Sequence, residues 1–210
     1  MRYILDIDHR LNFNDELANK IWKLPACVQF VGSFTEESAV KFRDNLEAAE
    51  NAALKCGQDV IPITIDSYGG SVYALLGMID AIQNCSIKVA TIVESKAMSC
   101  GAVLFSCGAE GYRFVGPNAT VMIHTVSTGE FGKIDEVKAG TEEADRLNDK
   151  LFRLMSKNCG HNDSYFLDKL QERRMADWFL DPKTCIQHNL ANKVHIPSIK
   201  VKVNCDFKFE

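Results

Sequence analysis

Ser99 stands in Ser-Lys-Ala-Met-Ser-Cys-Gly-Ala (95–102), downstream of a Tyr-Gly-Gly-Ser turn (68–71) and upstream of Met-Ile-His (122–124). A hydroxyl, glycine amides and an imidazole are the parts needed for acyl transfer through an activated serine. A base takes the hydroxyl proton while fixed N–H donors hold the oxyanion. Each part alone has an ordinary explanation. Gly69-Gly70 after an apolar strand is a tight strand-to-helix turn, a serine opening a helix is an N-cap, and a histidine ending a strand is a hydrogen-bonded core residue. Only their combination, in this order, suggests peptidase or esterase chemistry.

Ser99 opens a stretch of small residues that reads as a helix, where backbone N–H groups point outward and the dipole favours anions. His124 ends an apolar strand and so reaches a sheet edge, where catalytic groups gather. Lys96 is an alternative base for a Ser-Lys pair. A third group must orient the imidazole, and Asp177 in Ala-Asp-Trp-Phe-Leu (176–180) precedes an apolar turn that could hold a carboxylate half-buried. Asp168 is its rival. The other histidines, at 9, 161, 188 and 195, have no candidate nucleophile beside them.

Alternating strands and helices must position these groups. Residues 26–32 form an apolar run closed by Gly32, and Thr35 with Glu36-Glu37 marks the start of a helix over 36–55. A β-branched strand over 60–66 runs into Gly69-Gly70, and 71–84 is helical again. Strand 88–93 precedes a buried helix over 97–108, and strands 113–115 and 120–124 are divided by a Gly-Pro-Asn turn. This alternation predicts an α/β fold with a mainly parallel sheet. Over 134–158 the spacing predicts one long polar helix, apolar only at Val137, Leu147, Leu151, Leu154 and Met155. So narrow a stripe is expected to pack on a partner subunit rather than bury a face within its own. A short helix within 183–195 ends at Asn189, a left-handed cap, and alternating Val and Lys over 199–203 form a last strand.

The 210 residues, with 46% hydrophobic content, fit a single domain over 1–210. A formal net charge of −4 and a pI near 5.8 lack the basic footprint that nucleic-acid binding requires. No segment approaches the roughly 18 apolar residues of a membrane span. Acids and His9 interrupt the N-terminus where a secretion signal needs an apolar core, so a cytoplasmic protein with no membrane partner is expected. The 8 cysteines show no metal-ligand spacing and read as free thiols.

In the order and spacing of these parts the chain resembles the ClpP family, the proteolytic subunit of Clp proteases, from about Val28 to Val194. Gly70 to Ser99 and Ser99 to His124 align with that family without a gap. The resemblance implies a ClpP/crotonase-like spiral of strand–helix units with a protruding handle helix over 134–158. It implies Ser99 as nucleophile, His124 as general base and then acid, Asp177 as orienting carboxylate, and the N–H groups of Gly70 and Cys100 as the oxyanion hole. Gly69, Ser71 and Val72 would pair with an extended polypeptide substrate. Stacked heptameric rings of this chain, an AAA+ unfoldase of the Clp type as partner, and no cofactor or metal are also implied.

Departures from the family accompany the match. The stretch from Gly160 to Asp177 is longer, Ala176 replaces an arginine that links the active site to ring pairing, and Cys100 replaces a methionine. Residues 1–25 lack the family's aromatic and arginine pattern, which bears on docking of an unfoldase. Two rival readings follow: a crotonase-like acyl-CoA enzyme, which shares the spiral and the amide oxyanion hole, and a catalytically silent ring subunit.

Overall fold

The computed structural model describes residues 2–6, 28–127, 129 and 131–202. Among these the chain is α/β. Strand β1 (Arg2–Asp6) pairs in parallel with β9 (Ser198–Lys202) as a separate two-stranded sheet. A seven-stranded sheet carries the rest. Its strands β2 (Val28–Phe34), β3 (Val60–Gly70), β4 (Lys88–Met98), β5 (Arg113–Val115) and β8 (Lys193–Val194) lie side by side in that order, all parallel. Strand β6 (Thr120–Ile123) joins β4 further along, opposite Lys96 to Met98, and β7 (Trp178–Leu180) pairs antiparallel with β6. Both branches therefore meet on β4, which ends one residue before Ser99.

Six helices are described: α1 (Glu36–Cys56), α2 (Val72–Asn84), α3 (Cys100–Ser106), α4 (Ile134–Asn158), α5 (Tyr165–Glu172) and α6 (Pro182–Gln187). Local chemistry sets their ends. Thr35 Oγ1 accepts the Ser38 N–H at 3.1 Å while Ser38 Oγ accepts the Thr35 N–H at 2.9 Å, a reciprocal cap that starts α1 directly after β2. Gly57, at φ 69°, closes it. Ser71 caps α2 by accepting the Ala74 N–H at 3.4 Å, which turns the chain from β3 into helix immediately after the glycine pair.

The central strands are buried on both faces and read as unbroken apolar runs, as parallel strands flanked by helices do. Ile61, Ile63 and Ile65 of β3 and Ile92 and Val93 of β4 are fully buried; helices contribute Leu46, Leu75, Met78, Leu104 and Phe105 to the core. Truncating one such leucine to alanine costs about 2–5 kcal/mol. Arg113 of β5 is also buried, and its guanidinium donates to the carbonyls of Gly108 and Leu190 at 3.2 Å, to Asn189 O at 3.0 Å and to Glu110 Oε2 at 3.0 Å. Its guanidinium thus pins the loop that joins α6 to β8 onto the sheet.

The expected strands and helices recur with shifted ends, and each shift has a cause. Pairing of Lys96, Ala97 and Met98 with Thr120, Val121 and Met122 keeps β4 extended to 98, so the helix expected from 97 starts at Cys100. Pairing of Gly70 with Phe34 extends β3 to 70. The helix expected within 183–195 stops at Gln187; Asn189 takes φ 51° as a left-handed residue and 193–194 is β8. Helix α5 and strand β7 have no counterpart in the sequence reading.

Helix α4 has the expected bounds, but its apolar stripe packs within its own chain rather than waiting for a partner. Leu147, Leu151, Phe152, Met155 and Ser156 are buried within the chain, all in the second half of the helix. Ile134, in the first turn, and Phe131 just before it are exposed. Cys56, Cys85, Cys100, Cys107, Cys159 and Cys185 are free thiols, and burial pushes those of Cys107, Cys159 and Cys185 up to about 12. No helix among the described residues is long and apolar enough to cross a membrane. Of the segment 1–25, only 2–6 lie within the described residues.

Candidate active site

Ser99 occupies the corner between β4 and α3 with φ 56° and ψ −120°, a region that non-glycine residues rarely enter. Such a residue costs on the order of 1–3 kcal/mol and persists only where its surroundings over-determine it. Here they do. The Ser99 N–H donates to Met122 O at 2.9 Å, and Ser99 O accepts from the N–H groups of Ala102 at 2.9 Å and Val103 at 3.3 Å. Helix α3 beyond it is buried at every position. The Ser99 side chain makes no cap bond to the helix it opens. The ordinary explanation for this serine, an N-cap, therefore fails. A serine held on a sharp strand-to-helix corner, its hydroxyl not spent on capping the helix, is the geometry of a nucleophile elbow.

Gly69 makes the corner possible from the neighbouring strand. It takes φ 106°, and a Cβ there would lie 2.7 Å from Ser99 Cβ and 3.0 Å from Met98 O. Gly70, at φ 146°, lies equally close to β2, where a Cβ would meet Phe34 O at 2.5 Å. Neither position admits a side chain without displacing backbone. The turn is braced by Ser67, whose hydroxyl donates to Gly32 O and accepts the Gly69 N–H at 3.0 Å.

These bonds sort the amides around Gly70. The Gly69 N–H goes to Ser67 Oγ and the Ser71 N–H to Phe34 O at 2.9 Å. In a parallel ladder the bonds to Phe34 come from residues on either side of its partner, so the N–H of Gly70 points away from β2. Cys100 is the first residue of α3 and its N–H has no helical acceptor. The Cys100 thiol donates to Gly70 O at 3.2 Å, tying the two residues together, and burial pushes that thiol up from its ordinary pKa. Sequence reasoning treated Cys100 only as a backbone donor; its side chain is a strut.

Ser99, His124, Gly70, Cys100 and Val72 line one cavity, so five expected site residues come together. His124 is half-buried, just beyond β6. No hydrogen bond joins it to Ser99 among the described residues; catalytic hydrogen bonds are commonly long before substrate binds. Ser71 and Gly69 do not line it, and the Ser71 hydroxyl is used as the α2 cap.

Asp177 departs from expectation. It is exposed, outside the cavity and without a hydrogen bond to His124. The register shows why. Strands β6 and β7 pair Val121 with Leu180, Met122 with Phe179 and Ile123 with Trp178, so His124 and Asp177 would form the next pair, but the ladder stops one step short. The chain enters β7 from a turn in which Arg174 and Met175 take φ 55° and 59°.

The alternatives are occupied elsewhere. Lys96 Nζ lies 2.5 Å from Asp66 Oδ1 and 4.5 Å from the centre of the Tyr68 ring. The hydrogen bond to Asp66 raises its pKa, so it stays protonated and is no base. Asp168 accepts Ser164 Oγ at 2.7 Å on α5. His188 and His161 belong to an aromatic cluster: Tyr165 OH and His188 Nδ1 are 2.7 Å apart, the His161 ring stacks on Tyr165, and Trp178 meets His188 edge-on. Burial first, then the charges of Lys169 and Arg173, lowers the pKa of His188. Missed by sequence reasoning were Leu151, Phe152 and Met155 of α4, which line the cavity together with residues of α3. Their helical spacing was visible; that it faced the site was not.

A strained serine, an imidazole and two amide-bearing residues around one apolar cavity form a site suited to acyl transfer. The Clp protease family model matches residues 25–197, and the chain belongs to that family of serine peptidases. The match takes in Ser99, His124 and Asp177 together with the seven-stranded sheet.

Proposed function

We propose that the chain is the proteolytic subunit of a Clp-type ATP-dependent protease, a serine endopeptidase that cuts unfolded polypeptides into short peptides. The observation that carries this reading is the left-handed Ser99 on the wall of a cavity that also contains His124, Gly70 and Cys100. In the mechanism it supports, Ser99 Oγ attacks the peptide carbonyl while His124 takes its proton. The N–H groups of Gly70 and Cys100 stabilise the oxyanion, and His124 then gives the proton to the leaving amine. Water, deprotonated by His124, releases the acyl group from Ser99. Asp177 reaches the imidazole once β6 and β7 gain one more pair, and it then stabilises the imidazolium. Gly69, Ser71 and Val72 seat the substrate as an added strand. Stacked heptameric rings joined through 134–158 as a protruding handle, in a spiral fold, and an AAA+ unfoldase complete the working particle in the cytoplasm.

The exposure of Asp177 favours a second reading, a silent ring subunit whose triad never closes. The crotonase-like reading has no use for a strained serine. A fluorophosphonate probe separates them. Labelling of the assembled protein, abolished by Ser99→Ala together with cleavage of fluorogenic peptides while particle mass is unchanged, supports the peptidase. An assembled but unlabelled particle refutes it in favour of the silent subunit.

A further inference from the structure

The backbone that carries His124 leaves its strand at Ile123, and residues 124–127 have no strand partner among the described residues. A side chain of α4 hydrogen-bonds that segment, and Val126 also packs on the core. Asn148 Oδ1, on α4, accepts the N–H of Val126 at 3.0 Å, two residues beyond the histidine. Its helical neighbours Leu147 and Leu151 are buried, so Asn148 sits on a part of α4 fixed to the core. The same helix also hydrogen-bonds the first turn of α2. Glu143 accepts the hydroxyl of Tyr73 at 2.9 Å, three residues beyond Gly70, and is itself clamped by Arg146 Nε at 2.6 Å and Nη2 at 2.7 Å.

We infer that Asn148 is a positioning residue: through the Val126 N–H it fixes the backbone carrying His124 to helix α4, while Glu143 and Tyr73 fix the peptide-seating wall to the same helix. This rests on the reading of His124 as general base. With both walls referred to one rigid rod, the distance between imidazole and serine follows the seat of α4. A shift of that helix moves the base and the substrate wall together.

The two contacts have separable consequences. Asn148→Leu keeps the size and removes the acceptor, whereas Asn148→Asp keeps an acceptor. Hydrogen exchange at Val126 in the assembled chain is expected to rise about tenfold in Asn148→Leu, the loss of one hydrogen bond. Peptide kcat should fall about tenfold with KM within about twofold, since misplacing a catalytic group by a fraction of an ångström costs rate. Asn148→Asp should restore both. Tyr73→Phe should raise KM and leave kcat in place. A structural role alone would move kcat and KM together, or neither. Unchanged exchange at Val126 in Asn148→Leu, or unchanged kcat with Val126 opened, overturns the inference. If Asn148→Leu does not fold, Asn148→Ala replaces it in the same comparison. If the unmodified protein neither labels nor cleaves, the peptidase reading falls, and Val126 exchange still decides whether Asn148 holds that backbone.

Discussion

Gly69→Ala tests the elbow from the strand that does not carry the nucleophile. The new methyl carbon would start 2.7 Å from Ser99 Cβ and 3.0 Å from Met98 O, and the residue would have to hold φ 106°. Ordinary carbon contacts begin near 3.5 Å, so Ser99 must move by close to about 1 Å, a misplacement that costs on the order of a hundredfold in rate. Backbone strain of about 1–3 kcal/mol and overpacking of about 1–3 kcal/mol add up to a destabilisation of roughly 2–6 kcal/mol. Gly77→Ala is the matched control, because that glycine lies inside α2 with nothing within 4 Å of its added methyl. It should stabilise by about 0.5–1 kcal/mol and leave turnover unchanged. The assay is peptide kcat/KM and probe labelling on folded, assembled protein, with melting temperatures alongside. Labelling of Gly69→Ala at the unmodified rate would refute the claim that this contact sets the serine's position.

Three other outcomes are expected. Arg113→Met should destabilise by at least about 3 kcal/mol by calorimetry, because it leaves the buried carbonyls of Gly108 and Leu190 and that of Asn189 without their donor. A loss below about 1 kcal/mol would contradict that accounting. His188 has a folded-state pKa below its ordinary 6.5, so the unfolded chain binds the proton more readily; stability is complete above pH 6.5 and declines as pH falls below it. His188→Gln should flatten the melting temperature between pH 6.5 and about 5, before carboxylates dominate. Lys96→Met should lose no more than about 1 kcal/mol and keep its peptidase activity, since the lysine is paired with Asp66; loss of activity would revive the Ser-Lys alternative.

What could be read from the residues was whatever local chemistry decides. Thr35, Ser71 and the Gly69-Gly70 pair announce their own backbone conformations, so α1, α2 and the end of β3 fell within a few residues of expectation. Ser99 and His124 were legible because strand ends and turns deliver them. The long helix was legible in extent but not in facing, since Leu151 and Met155 reach the cavity only by tertiary packing. Helix α5 and β7 escaped because one is short and charged and the other is a three-residue strand that exists only through β6. Asp177 shows the limit most sharply. Sequence chose a carboxylate that the structure leaves exposed and outside the cavity, one step past the last β6–β7 pair, and no local signal in the residues sets where that ladder ends.

The left-handed conformation of Ser99 bears on how this protein behaves under selection. A glycine at 99 would adopt φ 56° and ψ −120° at ease. Libraries scored for heat tolerance alone would accordingly enrich chains that have discarded the hydroxyl. Ranking variants by robustness would then select against turnover, and any engineering campaign on this scaffold has to count activity in the same round.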